Sequence, residues 1–142
     1  MSESWLSTVV SGEIHQYLND ELMCRMITID GTKGSWNWRP CRDINEARFC
    51  PASCFVPSCN KVLMSGGEGL RSTSVHDLAL DKWIDLGIEM KEIRRSHSSC
   101  LVGQFVYVIA GCNFDDEKWL SSVERLSVSA VASSSPPSSA TW

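Results

Sequence analysis

Internal repetition constrains this chain more than any other feature. Three segments share one pattern: Thr8-Val9-Val10-Ser11-Gly12-Glu13, Val62-Leu63-Met64-Ser65-Gly66-Gly67-Glu68 and Val106-Tyr107-Val108-Ile109-Ala110-Gly111-Cys112. Each is an apolar run that ends in small residues. Aligned on the last glycine, they lie 67 − 12 = 55 and 111 − 67 = 44 residues apart. Ser74-Val75-His76-Asp77-Leu78-Ala79-Leu80 follows the second copy, and Ser122-Val123-Glu124-Arg125-Leu126-Ser127-Val128 follows the third, at an offset of 122 − 74 = 48. Cys24 to Asp30 is a weaker copy of Val75 to Asp81. Trp38 precedes Gly67 by 67 − 38 = 29 residues and Trp83 precedes Gly111 by 111 − 83 = 28, and each interval holds an arginine, Arg48 or Arg94. A period of this length marks a repeat architecture, in which each unit buries its face on its neighbours.

The repeating units read as β-structure. Val62 to Met64 and Phe105 to Ile109 are short, β-branched or aromatic, and bounded by Gly or Asn. Val75-x-x-Leu78-x-Leu80 and Val123-x-x-Leu126-x-Val128 alternate in part. From Glu13 to Met26 two readings compete. Leu18, Leu22 and Met26 have helical spacing, whereas Asn19-Asp20 suits a turn between strands. The repeat places a turn there, which favours strands. From Ser127 the chain turns serine-rich and includes Pro136-Pro137, a composition expected to stay flexible.

These signatures resemble the kelch repeat of β-propellers. Gly66-Gly67 matches its glycine pair, and Ala110-Gly111 departs from it by one methyl group. Ser122-Val123-Glu124-Arg125-Leu126 looks like the Ser-Val-Glu strand of BTB-kelch proteins. Trp83, Met90, Arg94 and Tyr107-Val108-Ile109 also fall where that family would put them. The resemblance covers about Thr8 to Leu126 and is carried mainly by Asn60 to Leu126. It implies an all-β fold, an incomplete propeller of about two and a half to three four-stranded antiparallel blades. Residues 1–30 would be a partial, degenerate first repeat, residues 31–128 the kelch repeats, and residues 129–142 a flexible Ser/Pro-rich tail. Val123 and Trp142 are 142 − 123 = 19 residues apart, against 83 − 75 = 8 in the preceding unit, so the last repeat carries an insert.

The same resemblance implies a protein-binding module, of the kind that recruits substrates to cullin-type ubiquitin ligases or binds actin. The alternatives are a propeller fragment of an oxidase or isomerase without its catalytic set, and a gene fragment with no independent function. Propeller loops are where partners bind. The loops after the glycine pairs hold Glu68 and Arg71 in one unit and Asn113, Asp115, Asp116 and Glu117 in the other. Fewer than four blades cannot close a ring, so self-association through the end blades is a further expectation.

Composition and motifs exclude other classes. A net charge of −4 argues against nucleic acid. No apolar run approaches the ~20 residues of a membrane span, and Met1 to Gly12 has no basic region of a signal peptide. Seven cysteines, an odd number without a secretory signal, fit a reduced, cytoplasmic setting. Cys50, Cys54 and Cys59 lack the second ligand pair of a zinc site, with His76, His97 and Cys100 unpaired in spacing. His97 between Ser96 and Ser98 has no nucleophile elbow or orienting carboxylate. Asp115-Asp116-Glu117 lacks the alternation of a calcium loop, and Ser65 to Gly69 lacks a phosphate-binding pattern. No catalytic residue, metal or cofactor is therefore expected.

Overall fold

The computed structural model describes the backbone of residues 4–10, 13–19, 24–29 and 38–40, and residues 42–133 and 140–142 in full. Antiparallel β-sheet dominates, as the repeats predict. The first sheet runs β1 (Ser4–Val10), β2 (Glu13–Asn19), β3 (Cys24–Ile29), β4 (Trp38–Pro40) in sequence order. Asn19 faces Cys24 across β2 and β3, so the described residues of the ambiguous stretch lie in strands. The second sheet runs β5 (Ala52–Val56), β6 (Lys61–Ser65), β7 (Thr73–Asp77), β8 (Lys82–Asp85), again in sequence order. The third begins with β9 (Ser98–Val102) and β10 (Phe105–Ile109). A small hairpin of β11 (Cys112–Asn113) and β12 (Lys118–Trp119) interrupts it before β13 (Val123–Ser127) completes the order β13-β10-β9. One short helix, α1 (Val128–Ala132), follows. The first strands of the three sheets are neighbours, β1 against β5 and β5 against β9.

Hydrogen bonds fix which residues of the second and third sheets correspond. Gly66 donates to the Ser72 carbonyl at 3.0 Å, and Ala110 donates to the Ser122 carbonyl at 3.1 Å. Ser72 and Ser122 are therefore equivalent, an offset of 50 and not the 48 of the sequence alignment. The β11–β12 hairpin supplies the additional residues. A two-residue slip leaves every side chain on the same face, which is why the misaligned pattern still looked periodic. The correction also shortens the expected strand at Ser74 to Leu80. It ends at Asp77, whose Oδ1 accepts the amides of Ala79 and Leu80 at 3.1 Å each in a turn.

Alternation along the strands builds two cores. Val62, Met64 and Trp83 bury one face of the second sheet against Ile44. Cys54, Val56, Leu63 and Val75 on the other face join Val106, Val108 and Leu126 of the third sheet, together with Met90. The larger core also takes in Val128, Ala130 and Val131 of α1, and Trp142. The expectation of a flexible tail is thus corrected for its described residues. Ser127 caps α1 by accepting the Ala130 amide, three apolar side chains face inward, and Lys61 Nζ donates to the Ala132 carbonyl at 2.9 Å. Apolar burial and capping outweigh the serine-rich composition.

Trp142 stands in the third sheet's core as Trp83 stands in the second's. Ile44, Val62, Met64 and Trp83 correspond to Met90, Val106, Val108 and Trp142. Trp83 donates its indole N–H to the Arg42 carbonyl at 2.9 Å, and Trp142 donates to Thr73 Oγ1 at 3.0 Å. Trp38 is on the outermost strand of its sheet, as Trp83 is; its side chain and Ser11-Gly12 lie outside the described residues. No helix among the described residues is long and apolar enough to cross a membrane.

Candidate functional site

The site is built on two buried arginines. Arg48 Nη1 donates to the carbonyls of Gly66 (2.8 Å) and Ser72 (3.0 Å), and Nη2 to the hydroxyls of Ser72 (2.9 Å) and Ser74 (3.1 Å). Arg94 repeats the pattern. Its Nη1 donates to the carbonyls of Ala110 (2.8 Å) and Ser122 (3.4 Å), and its Nη2 to Ser122 Oγ (3.0 Å) and Glu124 Oε1 (2.7 Å). A guanidinium is suited to this task because its donors form a rigid planar fork. Each arginine ties the entry to its sheet to the loop between the sheet's second and third strands.

A carboxylate completes each cage. Glu46 Oε2 lies 3.0 Å from Arg48 Nη2 and accepts from Ser72 Oγ at 2.5 Å. Glu92 Oε2 lies 3.4 Å from Arg94 Nη2 and accepts a short hydrogen bond from Ser122 Oγ. The Ser122 hydroxyl and then Lys118, 3.2 Å from Glu92 Oε1, hold the Glu92 carboxyl below the usual carboxylate range. Neither glutamate was singled out in the sequence. The signal was there: Glu-x-Arg recurs at Glu46-Ala47-Arg48 and Glu92-Ile93-Arg94.

The glycine pairs hold close approaches between these loops. A Cβ on Gly66, at φ +61°, would meet the Arg94 carbonyl at 2.5 Å, and one on Gly111, at φ +93°, would meet the Arg95 carbonyl at 2.7 Å. Gly67 amide donates to the Arg94 carbonyl at 3.0 Å, so this contact joins the second sheet to the segment entering the third. His97 fills the gap between the two glycine loops. It is buried, with Nε2 3.0 Å from Ser65 Oγ, and burial, aided by the Arg94 charge, pushes its pKa down to about 4.

Above the cages lies an open groove of about 520 Å³. The 69–72 loop and Glu89 line one part of it, Asn113, Asp116 and Lys118 of the β11–β12 hairpin another, and Glu46 and Glu92 sit between them. Arg71 Nη2 pairs with Glu89 at 2.7 Å, and Asn113 Nδ2 donates to Asp116 at 2.7 Å.

The structure brings Arg71, Asn113 and Asp116 together in this groove. It places Glu68, Asp115 and Glu117 off it. Glu68 lies 3.0 Å from Arg95, whose guanidinium stacks 3.3 Å from the Phe114 ring centroid. Asp115 donates its amide to Asn113 Oδ1 in the hairpin turn, and Glu117 lines a smaller hollow beside Trp119. Sequence reasoning passed over Phe114 (50% exposed) and Trp119 (81% exposed) on the same hairpin. Exposed aromatic residues are enriched at binding surfaces.

Among the described residues no cluster of three His, Cys, Asp or Glu side chains could hold a metal ion. Cys50, Cys54, Cys59, Cys100 and Cys112 are free thiols; Cys54 lies on β5, and burial pushes its pKa up to about 11.

No family model and no curated protein matches this chain. Solved structures do match it, 123 chains in all. One described as "Structure of YjhT" superposes with a TM-score of 0.70 at 13% identity, over 78% of this chain and 34% of that structure. The likeness is one of fold. The chain spans about a third of that structure's length.

Proposed function

We propose that the three sheets are blades of an incomplete kelch-type propeller, and that the chain is a protein-binding module which takes a partner segment into the groove between the 66–72 loop and the β11–β12 hairpin. The repeated arginine cage carries this reading. It fixes the loops of two adjacent sheets through buried, charge-assisted hydrogen bonds, so the groove is pre-formed and binding need not order it. The walls present Arg71, Lys118 and Asp116 with aromatic residues on the adjoining hairpin, a surface suited to a mixed-charge polypeptide. The superposition at TM-score 0.70 supports the all-β fold on which this reading rests. The kelch resemblance supplies the candidate roles of delivering substrates to a cullin-type ligase or holding actin.

The test is a peptide array probed with purified chain, repeated with the Arg71→Glu/Asp116→Lys variant. Peptides bound by the parent and lost by the variant are expected. An identical pattern from both folded proteins would sink the assignment.

A further inference from the structure

Three residues of the groove, Asn113, Asp116 and Lys118, belong to the β11–β12 hairpin. The hairpin ladder has two residue pairs, Cys112 with Trp119 and Asn113 with Lys118. A two-stranded ribbon this short has little stability of its own. Backbone contacts fix its root. Arg95 and Cys112 exchange hydrogen bonds at 3.0 Å each way, and the buried Leu120 donates its amide to the Gly111 carbonyl at 2.9 Å. The turn beyond the root is bonded to itself. Asp115 donates its amide to Asn113 Oδ1 at 3.1 Å, Glu117 donates to the Phe114 carbonyl at 3.2 Å, and Asn113 Nδ2 donates to Asp116 at 2.7 Å.

Side chains tie this turn to the rest of the molecule. Neighbouring residues of a strand face opposite ways, so Asn113 and Lys118 turn to the groove while Phe114 turns to Arg95. On the groove side Lys118 Nζ lies 3.2 Å from Glu92, a solvated pair of the kind that contributes little. On the other side the Arg95 guanidinium lies 3.3 Å from the Phe114 ring centroid. The Arg95 side chain is only 16% exposed, which strengthens a cation–π contact over a fully solvated one.

Arg95 is in turn held by the second sheet. Its guanidinium lies 5.5 Å from the Phe49 ring centroid, and its Nη1 lies 3.0 Å from Glu68 Oε1. Its enclosed Nε has no hydrogen-bond partner among the described residues, so ring faces and a carboxylate hold the group. The repeat shows that this arrangement goes with the hairpin. Glu68 donates its amide to the Phe49 carbonyl as Cys112 donates to that of Arg95, so Phe49 is the counterpart of Arg95. The loop that begins at Glu68 forms no hairpin, and the position that would brace one carries no cation.

We infer that Arg95 and Phe114 are positioning residues of the groove, whose stack fixes the hairpin turn so that Asn113, Asp116 and Lys118 stand as one wall. Neither side chain lines the groove itself. Glu68 and Phe49 carry the hold to the second sheet, so both walls are set together. A loosened turn lowers the fraction of molecules with the wall in place, and apparent affinity falls by that fraction. The inference rests on the peptide-binding role proposed for the groove.

Two variants of the full chain test it. Phe114→Leu removes the ring and keeps apolar bulk; Arg95→Lys keeps the charge and removes the planar face. Without peptide, hydrogen–deuterium exchange at the Asp115 and Glu117 amides is expected to quicken about tenfold in either variant while β6 and β10 stay unchanged. An array peptide bound by the parent and lost by Arg71→Glu/Asp116→Lys should bind either variant about tenfold more weakly. Phe114→Tyr should keep both readouts at the parent values. Unchanged exchange at the turn overturns the inference, and so does faster exchange spread equally over β6 and β10, which would make the stack a support of the whole fold. An array in which no peptide needs Arg71 and Asp116 ends the groove reading and this inference together. A peptide that needs them and binds Phe114→Leu as tightly as the parent ends this inference alone.

Discussion

Arg94 Nη2 lies 2.7 Å from Glu124 Oε1, and both side chains are withdrawn from solvent. Glu124 also accepts the amides of Lys91 (2.7 Å) and Glu92 (3.3 Å). One carboxylate thus anchors both the arginine and the segment that carries it. In the second sheet the same position is Ser74, a neutral partner for Arg48 at 3.1 Å.

Breaking these two equivalents should have unequal effects. Glu124→Ala leaves a buried guanidinium short of its counter-charge and is expected to destabilise by about 3–5 kcal/mol. Ser74→Ala removes one neutral acceptor and should cost about 1 kcal/mol. Urea unfolding of the two variants measures both. Equal losses would mean that the cages are not energetically built as described.

Trp142→Ala should destabilise by about 3–5 kcal/mol, the range expected for removing a buried tryptophan, and so should Trp83→Ala. Both variants should lose near-ultraviolet circular dichroism. An unchanged melting temperature for Trp142→Ala would restore the reading of the tail as flexible.

Gly66→Ala should destabilise by more than about 2 kcal/mol, since left-handed strain adds to a contact with the Arg94 carbonyl that backbone must relieve. Ala110, at φ +58°, holds the equivalent place with its methyl group already accommodated. Ala110→Gly should therefore change stability by under about 1 kcal/mol, as released strain offsets the added freedom of the unfolded chain. Chemical denaturation of the pair checks the contrast, and a neutral Gly66→Ala would contradict the inter-sheet contact.

His97 gives the fold an acid limb. Its folded pKa, about 4, lies below the ordinary 6.5, so the unfolded chain binds the proton more tightly. Stability is full above pH 6.5 and falls as pH drops toward 4, by at most about 3 kcal/mol. Glu92, whose pKa is also depressed, contributes its loss lower in the pH range. Urea midpoints between pH 7 and 4.5 should decline for the parent and flatten in His97→Gln. Parallel curves would remove His97 as the cause.

The sequence was most legible where one residue type has one structural use. Gly66-Gly67, Arg48, Arg94 and Trp83 recur because each unit needs a close approach, a fork of donors and a large apolar filler. Three things escaped it. The β11–β12 hairpin shifted the Ser72–Ser122 equivalence by two residues without disturbing alternation. The serine-rich stretch hid Val128, Ala130 and Val131, whose burial depends on a neighbouring sheet, and detached Trp142 from its repeat. The groove was invisible because Arg71 and Asp116 meet only after two sheets pack.

Hydrogen–deuterium exchange on the chain with and without a peptide selected from the array tests the central claim most directly. New protection at amides 66–72 and 111–120 is the predicted result. Protection confined to the opposite ends of the strands, at 57–60, 78–81 and 103–104, would contradict it.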